Sequence, residues 1–237
     1  MDSENTIYNV DNIKLFNKWK KENKKPFIDA IITDPPYNIS RKNNFKTIGR
    51  HGIDFGKWDY GFNQTKWIKL VSPFVKKGGS IIIFNDYKNF GNICKTLEEN
   101  GFIVKDLIRW IKTNPMPRNI NRRYVTDFEL AIWAIKPGKK WVFNNKKQKS
   151  KYKRPEIISS AVASGKNRIH PTQKPLPVIE ELILTHSHEN DLIFDPFMGS
   201  GTTAIACLKN NRRFLGTEIN NEYYEKSIKR INEFKGL

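Results

Sequence analysis

Twice in this chain an apolar run ends in an Asp-Pro pair. FIDAIIT leads into Asp34-Pro35-Pro36-Tyr37, and DLIF leads into Asp195-Pro196-Phe197-Met198-Gly199-Ser200-Gly201-Thr202-Thr203. Short apolar runs read as buried strands, and α/β sheets bind their ligands beyond the carboxyl ends of such strands. Runs of this kind predict strands over 27–33, 80–84, 102–110, 128–135, 192–194 and 213–217. Apolar periodicity predicts helices over 62–77, 89–100, 177–187 and 221–234, and AIACLKNN continues the second motif as a helical pattern. Gly78-Gly79 and Gly101 stop the first two helices, and Pro177 opens the third. Strands alternating with helices predict an α/β sheet with helices on both faces.

A chain of 237 residues, 38% hydrophobic, supports one main domain. Lys and Arg number 42 against 24 Asp and Glu, a net charge of +18, so the surface carries positive potential suited to a polyanion. Cys94 and Cys207 lie far apart, with no Cys or His at ligand spacing, so they predict reduced, buried fillers and no metal site. His186 and His188 read as a solvated cap near a helix end. The polar amino terminus, and the lack of any apolar run near the ~20 residues that span a bilayer, predict cytoplasmic residence without a membrane partner.

Two polar segments interrupt the rhythm. Residues 38–61 carry Arg41 and Lys42 among further basic residues and four glycines, and read as a mobile basic loop. Residues 136–155 hold nine Lys or Arg and no acid, interleaved with Trp141, Phe143 and Tyr152. Such a stretch reads either as a solvated insertion or as a contact to phosphates and bases. The second reading makes Lys139, Lys140, Lys146, Lys147, Lys149, Lys151, Lys153 and Arg154 candidate DNA-binding residues, with Arg41 and Lys42.

In the first Asp-Pro motif, consecutive prolines stiffen the backbone and remove two N–H donors, leaving carbonyl oxygens to accept from an amino group. Asp34 adds an acceptor, and Tyr37 can stack on a base taken out of a duplex. A plain rigid turn is the alternative. In the second motif, Gly199 and Gly201 allow close backbone approach, and the helix start offers N–H groups to a carboxylate. There is no Gly-Lys-Ser/Thr ending for a phosphate loop and no third glycine for a dinucleotide turn. Glu218 ends the next strand, where an acid accepts from ribose hydroxyls. A nucleoside with an amino-acid tail fits this set, which describes S-adenosylmethionine; a plain tight turn is again the alternative.

With these residues the chain resembles the β group of amino-methylating DNA methyltransferases, in which DPPY comes first and HPTQKP and DPFxGSGTT follow. Asp34 to Tyr37, His170 to Pro175 and Asp195 to Thr203 match in that order, and GTEINNEYYEKSIKRI resembles the family's ending. The resemblance covers roughly residues 5–135 and 168–234. It implies a single Rossmann-like methyltransferase domain over 1–237, with permuted motif order and a small basic target-recognition insertion at 139–167. It further implies that Asp34, Pro35, Pro36 and Tyr37 are catalytic. Asp34 and the Pro35 carbonyl would hold the target amine, and Tyr37 would stack on the base. Phe197, Gly199, Ser200, Gly201, Thr202 and Thr203 would surround the cofactor's methionine part with Asp34, Asp195, Thr172 and Lys174 nearby. Glu218 would bind the ribose, and Asp11 would lie beside the adenine ring. The implied activity is site-specific methylation of adenine N6 in DNA, with S-adenosylhomocysteine as product. The implied partners are DNA, with a homodimer and a cognate restriction endonuclease compatible with it. N4-cytosine methylation, an RNA or protein amide methyltransferase, and an inactive DNA-binding protein on the same fold are the rival readings. No cysteine lies near DPPY, which argues for direct transfer without a covalent enzyme intermediate.

Overall fold

The eight strands line up as β1-β8-β7-β2-β3-β5-β4-β6 in a single sheet. The computed structural model describes residues 4–39, 59–115, 121–122, 124–145, 153–162 and 168–236. The strands are β1 (Thr6–Tyr8), β2 (Ile28–Thr33), β3 (Val75–Asn85), β4 (Ile103–Lys112), β5 (Phe128–Ile135), β6 (Glu156–Ser159), β7 (Leu192–Asp195) and β8 (Arg213–Thr217). All neighbours pair in parallel except β5, which runs antiparallel to both β3 and β4.

Side-chain alternation along the central strands divides the core into two layers. Ala30, Ile32, Ile82 and Phe84 face helices α4 (Leu176–His186), α5 (Thr202–Lys209) and α6 (Asn221–Lys235). Ile31, Ile81 and Ile83 face α1 (Asn12–Lys21), α2 (Lys66–Val71) and α3 (Phe90–Glu99). Because both faces are covered, the central strands are apolar throughout, as parallel strands are. The expected α/β sheet with helices on both faces is therefore present.

Some elements depart from the sequence reading. The helix expected over 62–77 is only Lys66–Val71, followed by a 3-10 turn at Ser72–Phe74, and Val75 already opens β3. Sheet pairing takes over there: Val75 pairs with Ile28, and a register shift separates that pair from Ala30–Ser80. Helix α1 went unpredicted because lysines dilute its apolar stripe. It is nevertheless capped by Asp11, which accepts from Ile13 N at 2.8 Å, and pinned by Trp19, packed 5.0–5.6 Å from Phe16, Phe27, Phe74 and Phe194. His186 is not a solvated cap. It is buried against Trp133 and Phe143, and burial lowers its pKa to about 3. Cys207 is buried as expected, whereas Cys94 is partly exposed.

The connection after β2 leads to β3 on one side, and that after β7 leads to β8 on the other. β2 and β7 are parallel neighbours, and the direction in which successive strands are laid down reverses between them. A crevice opens at their carboxyl ends, where doubly wound sheets hold ligands.

Candidate active site

The two Asp-Pro motifs form the two lips of that crevice. On the β2 side, Asp59 is 1% exposed and clamps the turn from outside: one oxygen accepts from Tyr37 N at 2.8 Å and Asn38 N at 2.9 Å, the other from Ile39 N at 2.9 Å. Gln64 Nε2 donates to the Pro36 carbonyl at 2.6 Å, and Asn89 Nδ2 donates to the Tyr37 carbonyl at 2.9 Å. Asn85, at the end of β3, braces both amides. With its neighbours occupied, the Pro35 carbonyl is the one in Pro35-Pro36-Tyr37 that receives no donor among the described residues. The prolines stiffen the turn, and the amides decide which oxygen stays open.

The charged side chains beyond the turn form one cluster. Tyr37 Oη donates to Asp34 Oδ1 at 2.5 Å, and Lys174 Nζ donates to Asp34 Oδ2 at 2.5 Å. Lys174 also reaches Glu129 Oε2 at 3.1 Å, and the other oxygen of Glu129 is held by Lys112 at 2.7 Å. Burial pushes the Asp34 carboxyl up, against the pull of Lys174. Burial and the adjacent Asp34 charge hold the Tyr37 phenol well above its usual value. Burial disfavours the Lys174 ammonium, yet Asp34 and Glu129 together outweigh it and raise its pKa. Glu129 is also desolvated, but Lys174 and Lys112 leave its carboxyl below the usual range.

On the β7 side, Asp195 turns inward. It accepts from Thr33 Oγ1 and Thr203 Oγ1, each at 2.7 Å, and from Phe197 N at 3.0 Å, so it shapes the loop with most of its lone pairs. Burial raises its pKa to about 6 despite those donors. Gly199 and Gly201 take φ of 53° and 74°, in the left-handed region that favours glycine. Glu218 accepts from Gly199 N at 2.9 Å and Asn220 N at 2.8 Å, and burial raises its pKa. Arg230, from α6, donates to the Ser200 carbonyl at 2.9 Å and to Thr202 Oγ1 at 3.0 Å. A cavity of about 50 Å³ separates the lips, lined by Thr33, Asp34, His170, Lys174, Phe197 and Thr203 among others. His170 stacks edge-on against Tyr223 at 4.3 Å, and burial together with Lys174 lowers its pKa to about 4, so it is neutral at pH 7.

Asp34, Thr172, Lys174, Asp195, Phe197, Gly199, Ser200, Thr202 and Thr203 thus meet around one cavity, while Tyr37 joins through its bond to Asp34. Asp11 and Glu218 lie beyond the carboxyl ends of β1 and β8, which pair Tyr8 with Thr217, and Asp11 there caps α1.

The basic residues do not stay together. Lys139 and Lys140 pack against Gly78, seven residues before the end of β3 at Asn85, about 23 Å from the catalytic edge at strand rise. Trp141 lies under Lys105, and Phe143 stacks on Trp133, so both aromatics belong to the protein body on that far edge. β5 runs antiparallel to β3 and so returns the chain to the opposite end of the sheet, which is where Lys139 and Lys140 lie. Lys153 pairs with Glu181, while Arg154 is largely exposed and lies 3.8 Å from Glu156. Arg41, Lys42, Lys146, Lys147, Lys149 and Lys151 lie outside the described residues. The expected mobile loop is described only at its ends, and there Asp59 is firmly bonded. Asp59, Gln64, Asn85, Asn89, Lys112, Glu129 and His170 were not singled out by sequence. His170 alone stood inside a recognised motif.

Opposed Asp-Pro and glycine turns at the switch point of such a sheet define a Rossmann-like methyltransferase. The chain belongs to the DNA methylase family, whose model matches residues 28–230. It is 35% identical to the Type II methyltransferase M2.LlaDCHI of Lactococcus lactis subsp. cremoris, covering 98% of this chain and 91% of that protein. It is 36% identical to M2.MboI of Moraxella bovis, covering 87% and 81%. Among solved structures, the M1.HpyAVI–SAM complex superposes with a TM-score of 0.76 at 42% identity, covering 95% of this chain and 98% of the other. The cytosine-N4-specific PvuII DNA methyltransferase shares the fold, with a TM-score of 0.72 at 19% identity over 99% and 92% of the two chains. Among the described residues no group of three or more His, Cys, Asp or Glu could hold a metal, and no helix is long and apolar enough to cross a membrane.

Proposed function

We propose that this protein transfers the methyl group of S-adenosylmethionine to N6 of an adenine flipped out of duplex DNA. The observation that carries the reading is the pairing of Asp34 with the Pro35 carbonyl, which receives no donor among the described residues, beside a glycine turn across a small cavity. When bound, S-adenosylmethionine supplies an electrophilic methyl group on a sulfonium.

The residues fit such a ligand. Gly199 lines the cavity beside His170 with φ of 53°, a conformation that favours glycine. The Thr202 and Thr203 side chains and Lys174 surround the place for an amino-acid tail, and the remaining lone pairs of Glu218, with Asp11, suit ribose hydroxyls and the adenine ring.

Asp34 and the Pro35 carbonyl each accept one N–H of the target amine, which favours a pyramidal nitrogen whose lone pair points across the crevice. Tyr37, fixed by Asp59 and Asn89 through its backbone, offers its ring to the flipped base. As the nitrogen gains the methyl group it becomes cationic and loses a proton, and Asp34, whose pKa burial has raised, is placed to receive it. Positioning of this kind contributes on the order of 7–11 kcal/mol to lowering a barrier. In the family that the chain resembles, a serine at the position of Asp34 more often accompanies cytosine, and this association supports adenine as the target.

The chain is then a single catalytic domain in the cytoplasm, with residues 139–167 as its target-recognition segment and the DNA contacts of that segment beyond Lys139 and Lys140. The same reading leaves a homodimer and a cognate restriction endonuclease as partners, the latter supported by the Type II names of the relatives. Plasmid DNA treated with cofactor tritiated in the methyl group, then digested to nucleosides, should yield labelled N6-methyladenine. Label in N4-methylcytosine would overturn the base assignment. Asp34→Ala should lower turnover by at least ~100-fold with cofactor affinity kept within several-fold. Near wild-type turnover would remove Asp34 from the mechanism.

A further inference from the structure

Both oxygens of Asp34 are engaged, one by Tyr37 and one by Lys174, so the carboxylate must release a donor before it can accept from a target amine. Lys174 is 6% exposed, and a buried ammonium without a partner is strongly disfavoured. Its other anion is already in place. Glu129 Oε2 lies 3.1 Å away, and a short shift of Nζ exchanges one carboxylate for the other. Glu129 is held in turn by Lys112 across β4 and β5, where Trp110 pairs with Glu129, so it sits on a rigid ladder and not on a loop.

We propose that Glu129 is a positioning residue, which takes Lys174 from Asp34 when the target amine docks and returns it after transfer. The inference rests on the reading that Asp34 receives the amine.

The charge balance favours this division of labour. Asp34, Glu129, Lys174 and Lys112 carry two negative and two positive charges. A lysine left on Asp34 would oppose the positive charge that develops on the amine. Moved to Glu129, it leaves Asp34 free to accept and keeps its own partner. The groups facing Asp34 are Lys174, Tyr37, Glu129 and, across the crevice, Asp195; Lys112 faces Glu129, and Asp86 acts on Tyr37. Removing the charge of Glu129 therefore lowers the pKa of Asp34 in two ways: one repelling anion is gone, and Lys174 is no longer shared.

The test is steady-state kinetics of the full chain on plasmid DNA, with tritiated cofactor, across pH. In Glu129→Gln, kcat should fall about 10- to 100-fold while KM for cofactor and for DNA stay within about threefold. The acid limb of kcat/KM should move to lower pH. Glu129→Asp keeps the charge and should recover part of kcat and restore the acid limb. In a Lys174→Gln background, Glu129→Gln should cost less than about threefold more, since the two act as a unit. An unchanged kcat and pH profile in Glu129→Gln, or full additivity with Lys174→Gln, would overturn the proposal. If Glu129→Gln fails to fold, an acid limb in Glu129→Asp that departs from wild type overturns it equally. Wild-type protein that transfers no label to an amine would instead overturn the function on which the inference depends.

Discussion

Asp59 accepts three backbone N–H groups and so holds the Asp34–Tyr37 turn from outside it. An asparagine in its place would keep the shape but turn one acceptor oxygen into a donor that faces an N–H. Asp59→Asn should therefore cost about 1–3 kcal/mol of unfolding free energy and reduce turnover as well. Chemical unfolding paired with a methylation assay checks this, and unchanged values in both would dismiss the clamp. Asp59 was hidden in the sequence because its partners are backbone amides, which leave no side-chain pattern, and because a stretch rich in glycine and lysine surrounds it. Glu129 was hidden differently, as one acid within the apolar run FELAIWAI, where it reads as an outward-facing strand position. The rigid turn at Asp34 to Tyr37 and the left-handed Gly199 and Gly201 were legible because their conformations depend on local backbone, which neighbouring residues encode.

Two left-handed glycines shape the turn between β7 and α5. At Gly201 a Cβ would meet Ser227 Cβ at 3.2 Å as well as the backbone strain, so Gly201→Ala should destabilise the protein by about 1–2 kcal/mol and weaken cofactor binding. Thermal unfolding with and without cofactor measures both effects, and a fully stable variant would refute the strain argument. Strand–turn–helix units of this kind were legible because their signals are contiguous. β1 and β6 were not: each is three or four residues long, and its identity comes from the partner it pairs with, β8 or β4. The run after β5 reads as a solvated insertion or as a contact to phosphates and bases, and its start at Lys139 and Lys140 lies on the far edge. Neutralising Lys139 and Lys140 should leave the log–log salt slope of DNA binding unchanged. Neutralising Lys146, Lys147, Lys149 and Lys151 should flatten it by up to ~0.9 for each phosphate that is no longer neutralised. The opposite ranking would place DNA on the far edge.

Across the whole molecule, buried titratable groups couple stability to pH. His170 and His186 have folded pKa values of about 4 and about 3, below the unfolded 6.5, so their stabilisation is present above pH 6.5 and is lost on acidification. Asp195, raised to about 6 from 3.8, acts in the opposite sense and regains stability as pH falls through 6. Between about pH 6 and 4.5 the unfolded chain thus holds two histidine protons that the native state lacks, and lacks one that Asp195 holds. His186→Phe keeps a ring against Trp133 and Phe143 and should reduce the acid slope of unfolding free energy by about 1.4 kcal/mol per pH unit. Urea titrations at several pH values measure it, and parallel wild-type and variant slopes would show that His186 takes up a proton in place. The pairing of β1 with β8 has a consequence of another kind. Thr6 lies opposite Leu215, so on the ribosome the earliest strand of the sheet has to wait for the latest. Loop closure over that distance is slow, and Glu218, which follows β8, emerges later still. A nascent chain that has not yet reached β8 therefore carries the Asp34–Tyr37 segment but lacks Glu218, and methyl transfer should appear only after that strand has been made.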